Sequence, residues 1–191
     1  FWYNGDNSQF MNARDEDILY GEESETFFKL NELVKQFANR FPQLAESNNY
    51  EYKLLENGGY MLKTPKKTVY YDKNKELHRE DGPARKINTD GATAEEYYIH
   101  GRLSRKNDPA KIITDDNGAK TYYWILDGTP YREDNNPTTI SINDNRHTKT
   151  ELYEDTRGMY HRDNGPAIIR YQNDKVSEMY WYTNGKLNRL D

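Results

Sequence analysis

A seven-residue phrase that occurs twice in this chain limits the folds that the chain can adopt. His-Arg-Asp-Asn-Gly-Pro-Ala at residues 161–167 repeats His-Arg-Glu-Asp-Gly-Pro-Ala at residues 78–84. Looser copies occupy residues 104–110 and 131–138, so the four prolines lie 26, 28 and 29 residues apart. A period of this length is typical of stacked repeat architectures. A residue of the phrase is therefore interpreted first as part of a repeat.

Each copy of the phrase predicts a pair of short antiparallel strands. An aromatic-rich strand precedes a turn four residues before the arginine, and a second strand follows the proline. The turn positions are Gly101, Gly128, Gly158 and Gly185, with Lys75 in the first copy. Asp-Gly and Asn-Gly pairs tolerate the positive φ that a tight turn requires. Two strands are too few to be stable alone, so we expect the hairpins to stack on one another.

The arginines and aromatic residues of the copies predict a structural ladder. A guanidinium binds a carboxylate or turn carbonyls through parallel hydrogen bonds. The acids expected to receive it are Asp81, Asp108, Asp134 and Asp163. Side chains at matching positions of neighbouring hairpins lie beside one another, and Tyr71 is assigned to the aromatic position of the first copy. The predicted ladder comprises Arg79, Arg105, Arg132, Arg162, Arg189, Trp124 and Trp181.

The first third of the chain has a different pattern. Between residues 24 and 41, apolar side chains recur every three or four positions, which predicts an amphipathic helix packed on the same chain. Asn57-Gly58-Gly59 lies between two strand-like runs and predicts a β-hairpin. We expect residues 1–67 to form a cap or anchor, and residues 68–191 to form an array of about four and a half hairpin units.

The predicted fold class is mainly β with an N-terminal α-helix, in which stacked antiparallel β-hairpins form a single extended sheet or a solenoid. The chain begins at Phe1, and its last residue, Asp191, falls within a repeat. We expect the sequence to be a fragment, a processed product or the ordered part of a larger protein.

The repeat pattern also resembles a known one. Aromatic-x-x-Asn-Gly-x-Leu-His-Arg-x-Asp-Gly-Pro-Ala is similar to a hairpin repeat in proteins of large bacteriophages and giant viruses, distantly similar to MORN-type repeats. The resemblance covers residues 70–191 and departs from the pattern at Lys75, at Ser104 and across Asn135-Asn136. It implies an extended sheet of hairpins and a viral or bacterial setting. It implies no reaction.

Composition favours a thin fold and disfavours several classes of partner. Apolar residues make up 34% of the chain and the mean hydropathy is −1.20, which is too little for a thick core. The net charge of −5 disfavours nucleic acid and anionic membranes as partners, and no apolar run has the length of a membrane span. The absence of cysteine excludes disulfides and thiolate chemistry.

No catalytic residue, metal ligand or cofactor is predicted. The letters His-Arg-Asp match a kinase catalytic loop, but Ile168 stands at the position of its asparagine. Asp72-x-Asn74-x-Glu76 begins like a calcium loop and lacks the glycine and glutamate that such a loop requires. A hydrolase that uses His161 with Asp163 is the enzymatic alternative. A reaction needs its residues once, however, whereas this group recurs.

The leading hypothesis is a non-enzymatic repeat protein that provides a protein-interaction or structural surface. Tyrosine is favoured at protein contacts, and the predicted partner-binding residues are Tyr98, Tyr123 and Tyr182. The expected partner is a viral or host protein, met in the virion or in the bacterial host cytoplasm. An inhibitor of host defence that acts by binding is an alternative, and oligomer formation stays open.

Overall fold

The computed structural model describes residues 51–190. Sixteen strands and two 3-10 helices follow one another along them. The strands are β1 (Glu51–Leu54), β2 (Tyr60–Lys63), β3 (Lys67–Tyr71), β4 (Arg85–Asn88), β5 (Ala92–Glu96), β6 (Tyr98–Ile99), β7 (Arg102–Leu103), β8 (Lys111–Asp115), β9 (Lys120–Tyr123), β10 (Ile125–Leu126), β11 (Thr129–Pro130), β12 (Thr139–Asn143), β13 (Thr148–Leu152), β14 (Ile168–Gln172), β15 (Lys175–Thr183) and β16 (Lys186–Leu190). The helices are η1 (Glu133–Asn135) and η2 (Asp144–Arg146). The predicted helix at 24–41 lies outside the described residues.

Twelve of these strands form one antiparallel sheet. Its order is β1-β2-β3-β4-β5-β8-β9-β12-β13-β14-β15-β16, so each member pairs with the next one along the chain. The four short strands form two separate pairs, β6 with β7 and β10 with β11. The predicted mainly β fold of many antiparallel strands is confirmed.

The hairpin expected at Asn57-Gly58-Gly59 joins β1 to β2. Gly58 has a φ of +81°, and its N–H donates to the carbonyl of Leu55 over 3.0 Å. Gly59 has no room for a side chain, because a Cβ there would overlap the carbonyl oxygen of Tyr71. Since β2 also pairs with β3, this hairpin belongs to the same sheet as the strand that precedes the first copy of the phrase.

The connections at one end of the sheet carry the repeated phrase. Each of them begins with a short hairpin, and we number the five short hairpins along the chain. They are hairpin 1, closed by the Tyr71–Leu77 bridge; hairpin 2, β6–β7; hairpin 3, β10–β11; hairpin 4, closed by the Glu154–Tyr160 bridge; and hairpin 5, at the β15–β16 turn. The phrase then leads from each of the first four hairpins back to the sheet.

Hairpins 2, 3 and 5 turn through two residues that both have positive φ. These turns are His100-Gly101 (+45° and +72°), Asp127-Gly128 (+50° and +83°) and Asn184-Gly185 (+49° and +74°). Two left-handed residues give the turn whose twist matches that of the flanking strands. The side chain at the first position therefore belongs to a residue that tolerates this conformation.

Hairpins 1 and 4 are one residue longer and turn differently. Oδ1 of Asp72 accepts the N–H groups of Asn74 and Glu76, and Oδ1 of Asp155 accepts two N–H groups in the same way. The left-handed position is taken by Lys75 (φ +65°) and by Gly158 (φ +76°). The aspartate side chain thus organises the longer turn.

Candidate interaction surface

Each of the five arginines of the predicted ladder lies over an aromatic ring. The pairs are Arg79 over Tyr70 at 4.1 Å, Arg105 over Tyr97 at 4.1 Å, Arg132 over Trp124 at 3.7 Å, Arg162 over Tyr153 at 3.7 Å and Arg189 over Trp181 at 4.2 Å, measured from Cζ to the ring centroid. A guanidinium over a ring face is attracted by the ring quadrupole. The aromatic residue of the first copy is Tyr70, so the assignment of Tyr71 is wrong by one residue, because hairpin 1 has the longer turn.

The arginines also bind the loop that follows them. Arg105, Arg132 and Arg162 donate to the carbonyls of the prolines, over 3.4, 3.1 and 3.4 Å respectively. Asp81 and Asp108 receive their arginines, at 2.7 and 3.1 Å. The other two acids, Asp134 and Asp163, were expected to pair with their arginines, and no such pair is present among the described residues. Asp163 lies 3.2 Å from Nε2 of His161, and Asp134 takes a left-handed conformation inside η1.

One arginine of the phrase has a buried donor without an acceptor. Nε of Arg162 makes no hydrogen bond within the described residues, whereas Nε of Arg79 donates to Asp81 over 2.7 Å. The residue two positions after the arginine is Asp81 in the first copy and Asn164 in the fourth. A buried donor without a partner costs free energy. The two copies therefore differ in whether Nε of the arginine has an acceptor.

Replacing Asn164 with aspartate should raise the melting temperature by about 2 °C, because the new carboxylate supplies the acceptor that Nε of Arg162 lacks. Asn107→Asp is the matched control, since Asn107 occupies the same position in the second copy and Arg105 already pairs with Asp108. Thermal unfolding followed by circular dichroism compares the two variants. Equal shifts would contradict this assignment.

Small residues separate the aromatic rings of the phrase. Ala84, Ala110 and Ala167, which follow the prolines, are fully buried, and Thr138 is 5% exposed. The N–H groups of Tyr70, Tyr97, Trp124 and Tyr153 donate to their carbonyls over 2.7 to 2.8 Å. Aromatic and small residues thus alternate across the sheet. A small residue is therefore required at the alanine position of the phrase, because the neighbouring aromatic side chains leave little space there.

The histidine of the phrase connects one short hairpin to the next. Nδ1 of His78 accepts the backbone N–H of His100 over 3.2 Å, and Nδ1 of His161 accepts that of Asn184 over 3.3 Å. In the second copy, Oγ of Ser104 accepts the N–H of Asp127 over 3.1 Å. All three N–H groups belong to the first turn residue of the following hairpin. Histidine and serine therefore replace each other because both offer an acceptor at this place.

These contacts decide which chemistry is open to His161 and Asp163. A neutral imidazole has one N–H and one lone pair. The lone pair of His161 receives the N–H of Asn184, which leaves the proton on Nε2, facing Asp163 at 3.2 Å. In this arrangement His161 has no lone pair left to accept a proton from a nucleophile.

Asp72, His78 and His100 form a cluster that the sequence analysis did not single out. Their ligand atoms lie within 4.8 Å of one another, a spacing at which three such groups can hold a metal ion. The two rings are stacked, however, with centroids 4.3 Å apart and planes inclined by 20°. A metal lies in the plane of each imidazole that binds it, and Nδ1 of His78 already accepts an N–H. The present geometry is that of a hydrogen-bonded stack.

The side chain of Asp72 is only 10% exposed. Burial alone would raise the pKa of Asp72, but hydrogen bonds from His100, Glu76 and Asn74 hold that pKa below its usual value. Such a carboxyl stabilises the fold above its unfolded pKa of about 4, and the contribution is lost as the pH falls through the lower folded value.

Replacing Asp72 with asparagine should lower the free energy of unfolding by about 1 kcal/mol at about pH 7. The difference from the wild type should shrink below about pH 4, because the carboxyl of the wild type then becomes protonated. Urea unfolding at several pH values measures both effects. Asp90→Asn, at a side chain that is 91% exposed, should have little effect at any pH. A constant difference for Asp72→Asn would contradict the prediction.

Two of the three tyrosines predicted to bind a partner lie around a buried acid. Glu96 is 3% exposed and pairs with Arg85 at 2.5 Å and with Lys111 at 3.0 Å. The hydroxyl of Tyr98 lies 3.3 Å from Arg85, and Lys111 faces the ring of Tyr123 at 5.9 Å. We call these five residues the Glu96 cluster. Burial, followed by the charge of Glu96, raises the pKa of Tyr98.

The third predicted tyrosine lies at a different place. Tyr182 packs against Tyr160 with ring centroids 5.3 Å apart, and its carbonyl accepts the N–H of Arg162 over 3.4 Å. It therefore belongs to the contact between hairpins 4 and 5, and the Glu96 cluster does not include it. Sequence reasoning missed Arg85, Glu96 and Lys111, which become neighbours through the pairing of β4, β5 and β8.

The chain matches no family model and no curated protein. Among residues 51–190, no helix combines the length and the apolar character needed to cross a membrane.

Proposed function

We propose that this chain is a non-enzymatic protein whose stacked β-hairpin repeats form a scaffold for binding another protein. The proposal rests on the contacts that the phrase makes. Its histidine binds the next hairpin, its arginine lies over an aromatic ring, and its buried alanine pairs with the backbone of an aromatic residue. The residues that look most like chemistry are therefore occupied in holding the repeats together. The proposed surface for a partner comprises the Glu96 cluster, which includes Tyr98 and Tyr123, and the half-buried Tyr182 at hairpins 4 and 5.

The Glu96 cluster suits a protein partner better than a nucleic acid. Its two cations share one buried acid, so the group carries a small net charge, and its tyrosines present ring surface next to fixed polar groups. Nucleic-acid sites concentrate unpaired arginine and lysine. Aromatic residues and arginine are enriched at the core of protein interfaces.

The hydrogen bond of His161 to the backbone disfavours the hydrolase alternative. A general base needs a free lone pair directed at its substrate. His161 uses its lone pair on a backbone N–H, and Ser104 makes the same contact in another copy, where no base is available. An activity that survives His161→Ser together with Asp163→Asn would exclude these residues as its source.

The setting we propose is a bacteriophage, on the strength of the repeat resemblance. The protein is then a virion component or a binder of a host factor, including an inhibitor of host defence. Purified particles discriminate between these roles, since a structural component is present in them at a fixed stoichiometry. An intracellular binder is instead recovered with its target from infected cells.

Replacing Tyr123 and Tyr182 with alanine should reduce capture of the partner at least tenfold, because tyrosine is frequent among the residues that dominate binding at protein interfaces. Tyr98→Phe should have a smaller effect, since it keeps the ring beside Arg85 and Glu96 and removes one hydroxyl. Co-purification from the native source, followed by identification and titration of the partner, measures the change. Tyr131→Ala, at a tyrosine that is 40% exposed, is the control. Equal binding by all variants would contradict the proposal.

A further inference from the structure

We propose that the junction between hairpins 4 and 5 opens in mildly acidic solution, because it depends on the neutral form of His161. An N–H group can only donate, so Nδ1 of His161 must carry a lone pair to accept the N–H of Asn184 at 3.3 Å. The ring proton then lies on Nε2. A second proton has to bind Nδ1, where it points at the N–H of Asn184 and ends the hydrogen bond.

Charged groups from hairpin 4 and from the phrase surround His161 and Asn184. Asp163 lies 3.2 Å from Nε2 and favours the charged ring, but its side chain is 82% exposed and water screens the attraction. Arg157 donates to Asn184 over 3.0 Å from the side of hairpin 4, and it adds a positive charge to the same turn. The carboxylate of Asp155 is already paired with Arg157. None of these groups accepts the N–H of Asn184, so its bond to Nδ1 of His161 has no substitute among the described residues.

The chain contains its own reference for this effect. The junction between hairpins 2 and 3 makes the same contact through Oγ of Ser104, which accepts the N–H of Asp127 over 3.1 Å. The carboxylate of Asp127 lies near Oγ as well, at 3.4 Å, and carboxylates ordinarily take up protons only near pH 4. Histidine titrates between about pH 8 and pH 5. Over that range the serine junction has nothing to titrate.

The junction between hairpins 1 and 2 also carries a histidine, His78, and its surroundings are more complex. Glu80 lies 3.8 Å from Nε2 of His78, the ring stacks on His100, and His100 in turn pairs with Asp72 at 2.9 Å. A proton on His100 strengthens the contact with Asp72, whereas a proton on His78 removes the contact with the backbone. The hairpin 4–5 junction isolates the second effect and is the place to test it.

Loss of the hydrogen bond from Asn184 to His161 would loosen the turn of hairpin 5 beside Tyr182, whose carbonyl accepts the N–H of Arg162 at the same junction. Binding of a partner through Tyr182 would then weaken in acid. This consequence rests on the proposed function, whereas the opening itself does not. The two can fail separately.

Amide hydrogen exchange resolved by NMR tests the opening on the whole chain. Between about pH 7.5 and pH 5.5, and after correction for intrinsic exchange, the protection of the Asn184 N–H should fall about fivefold, the effect of losing one hydrogen bond. The N–H of Asp127 should keep its protection. A parallel pH dependence of the two N–H groups would overturn the proposal.

His161→Ser supplies the second arm, because it copies the contact that Ser104 makes. The variant should keep the Asn184 N–H protected at both pH values. If the fall in protection persists in His161→Ser, another group causes it and the proposal is wrong. Should this variant not fold, the wild-type comparison of Asn184 with Asp127 decides the question alone.

Discussion

Replacing Tyr153 with alanine should lower the free energy of unfolding by about 3 kcal/mol, which makes it one of the most damaging single substitutions in the repeats. The ring is 7% exposed and lies under the guanidinium of Arg162 at 3.7 Å. Truncation removes buried aromatic surface, leaves a cavity and uncovers the guanidinium of Arg162, whose Nε has no acceptor within the described residues. Denaturant unfolding measures the change.

The control for Tyr153→Ala is Tyr131→Ala. Tyr131 is 40% exposed and belongs to the phrase, yet it lies outside the row of rings under the arginines. Its loss should change the free energy of unfolding by less than about 0.5 kcal/mol. Similar effects at the two positions would contradict the view that the buried ring and its arginine hold the repeats.

Replacing Ala110 with leucine should cost about 3 kcal/mol, because there is no space for the larger side chain. Ala110 is fully buried. Its carbonyl accepts the N–H of Tyr97 and its own N–H donates to the carbonyl of Tyr123, each over 2.8 Å. These two hydrogen bonds fix the backbone of Ala110 between its neighbouring strands. The backbone therefore cannot shift to relieve the steric overlap that a leucine side chain would create.

Ala119→Leu is the matched substitution at a partly exposed alanine, in the turn at the opposite end of the sheet. Its side chain has solvent beside it, so the free energy of unfolding should change by less than about 1 kcal/mol. Ala110→Ser is a second control, since it adds little volume at the buried position. A tolerated leucine at 110 would show that the small residue of the phrase has another cause.

The repeat made much of the fold predictable. Recurrence of the phrase indicates paired short strands, and the Asp-Gly and Asn-Gly pairs mark turns that do have positive φ at both residues, as at Asp127-Gly128 and Asn184-Gly185. Both inferences depend on local sequence and on backbone sterics. This is why the antiparallel sheet followed from the sequence with no knowledge of its packing.

Which side chains become neighbours on the sheet depends on the register in which the strands pair, and this register could not be predicted from the sequence. The position of Tyr70 under Arg79 follows from one additional residue in hairpin 1, and a pattern aligned on the glycine assigns the ring to Tyr71 instead. The neighbourhood of Glu96 arises because three strands pair in one register. A shift of a single residue would move every one of these side chains to the other face.

The structural role of the histidine of the phrase could not be predicted from the sequence, for a different reason. Its partner is a backbone N–H that lies 22 or 23 residues further along the chain, and a backbone group leaves no signature in the sequence. The replacement of histidine by Ser104 was the available signal, since both side chains accept a hydrogen bond. This replacement indicates that the two side chains make the same structural contact, whereas a catalytic interpretation would treat Ser104 as the loss of a functional residue.

The central claim, that the phrase is a structural connection between hairpins, is tested most directly by a double-mutant cycle on Trp124 and Arg132. The guanidinium lies 3.7 Å from the ring and donates to the carbonyl of Pro137 over 3.1 Å. Trp124→Leu, Arg132→Met and the double variant give the coupling free energy from unfolding in denaturant. We expect a coupling of about 1 kcal/mol. A coupling indistinguishable from zero would contradict the claim.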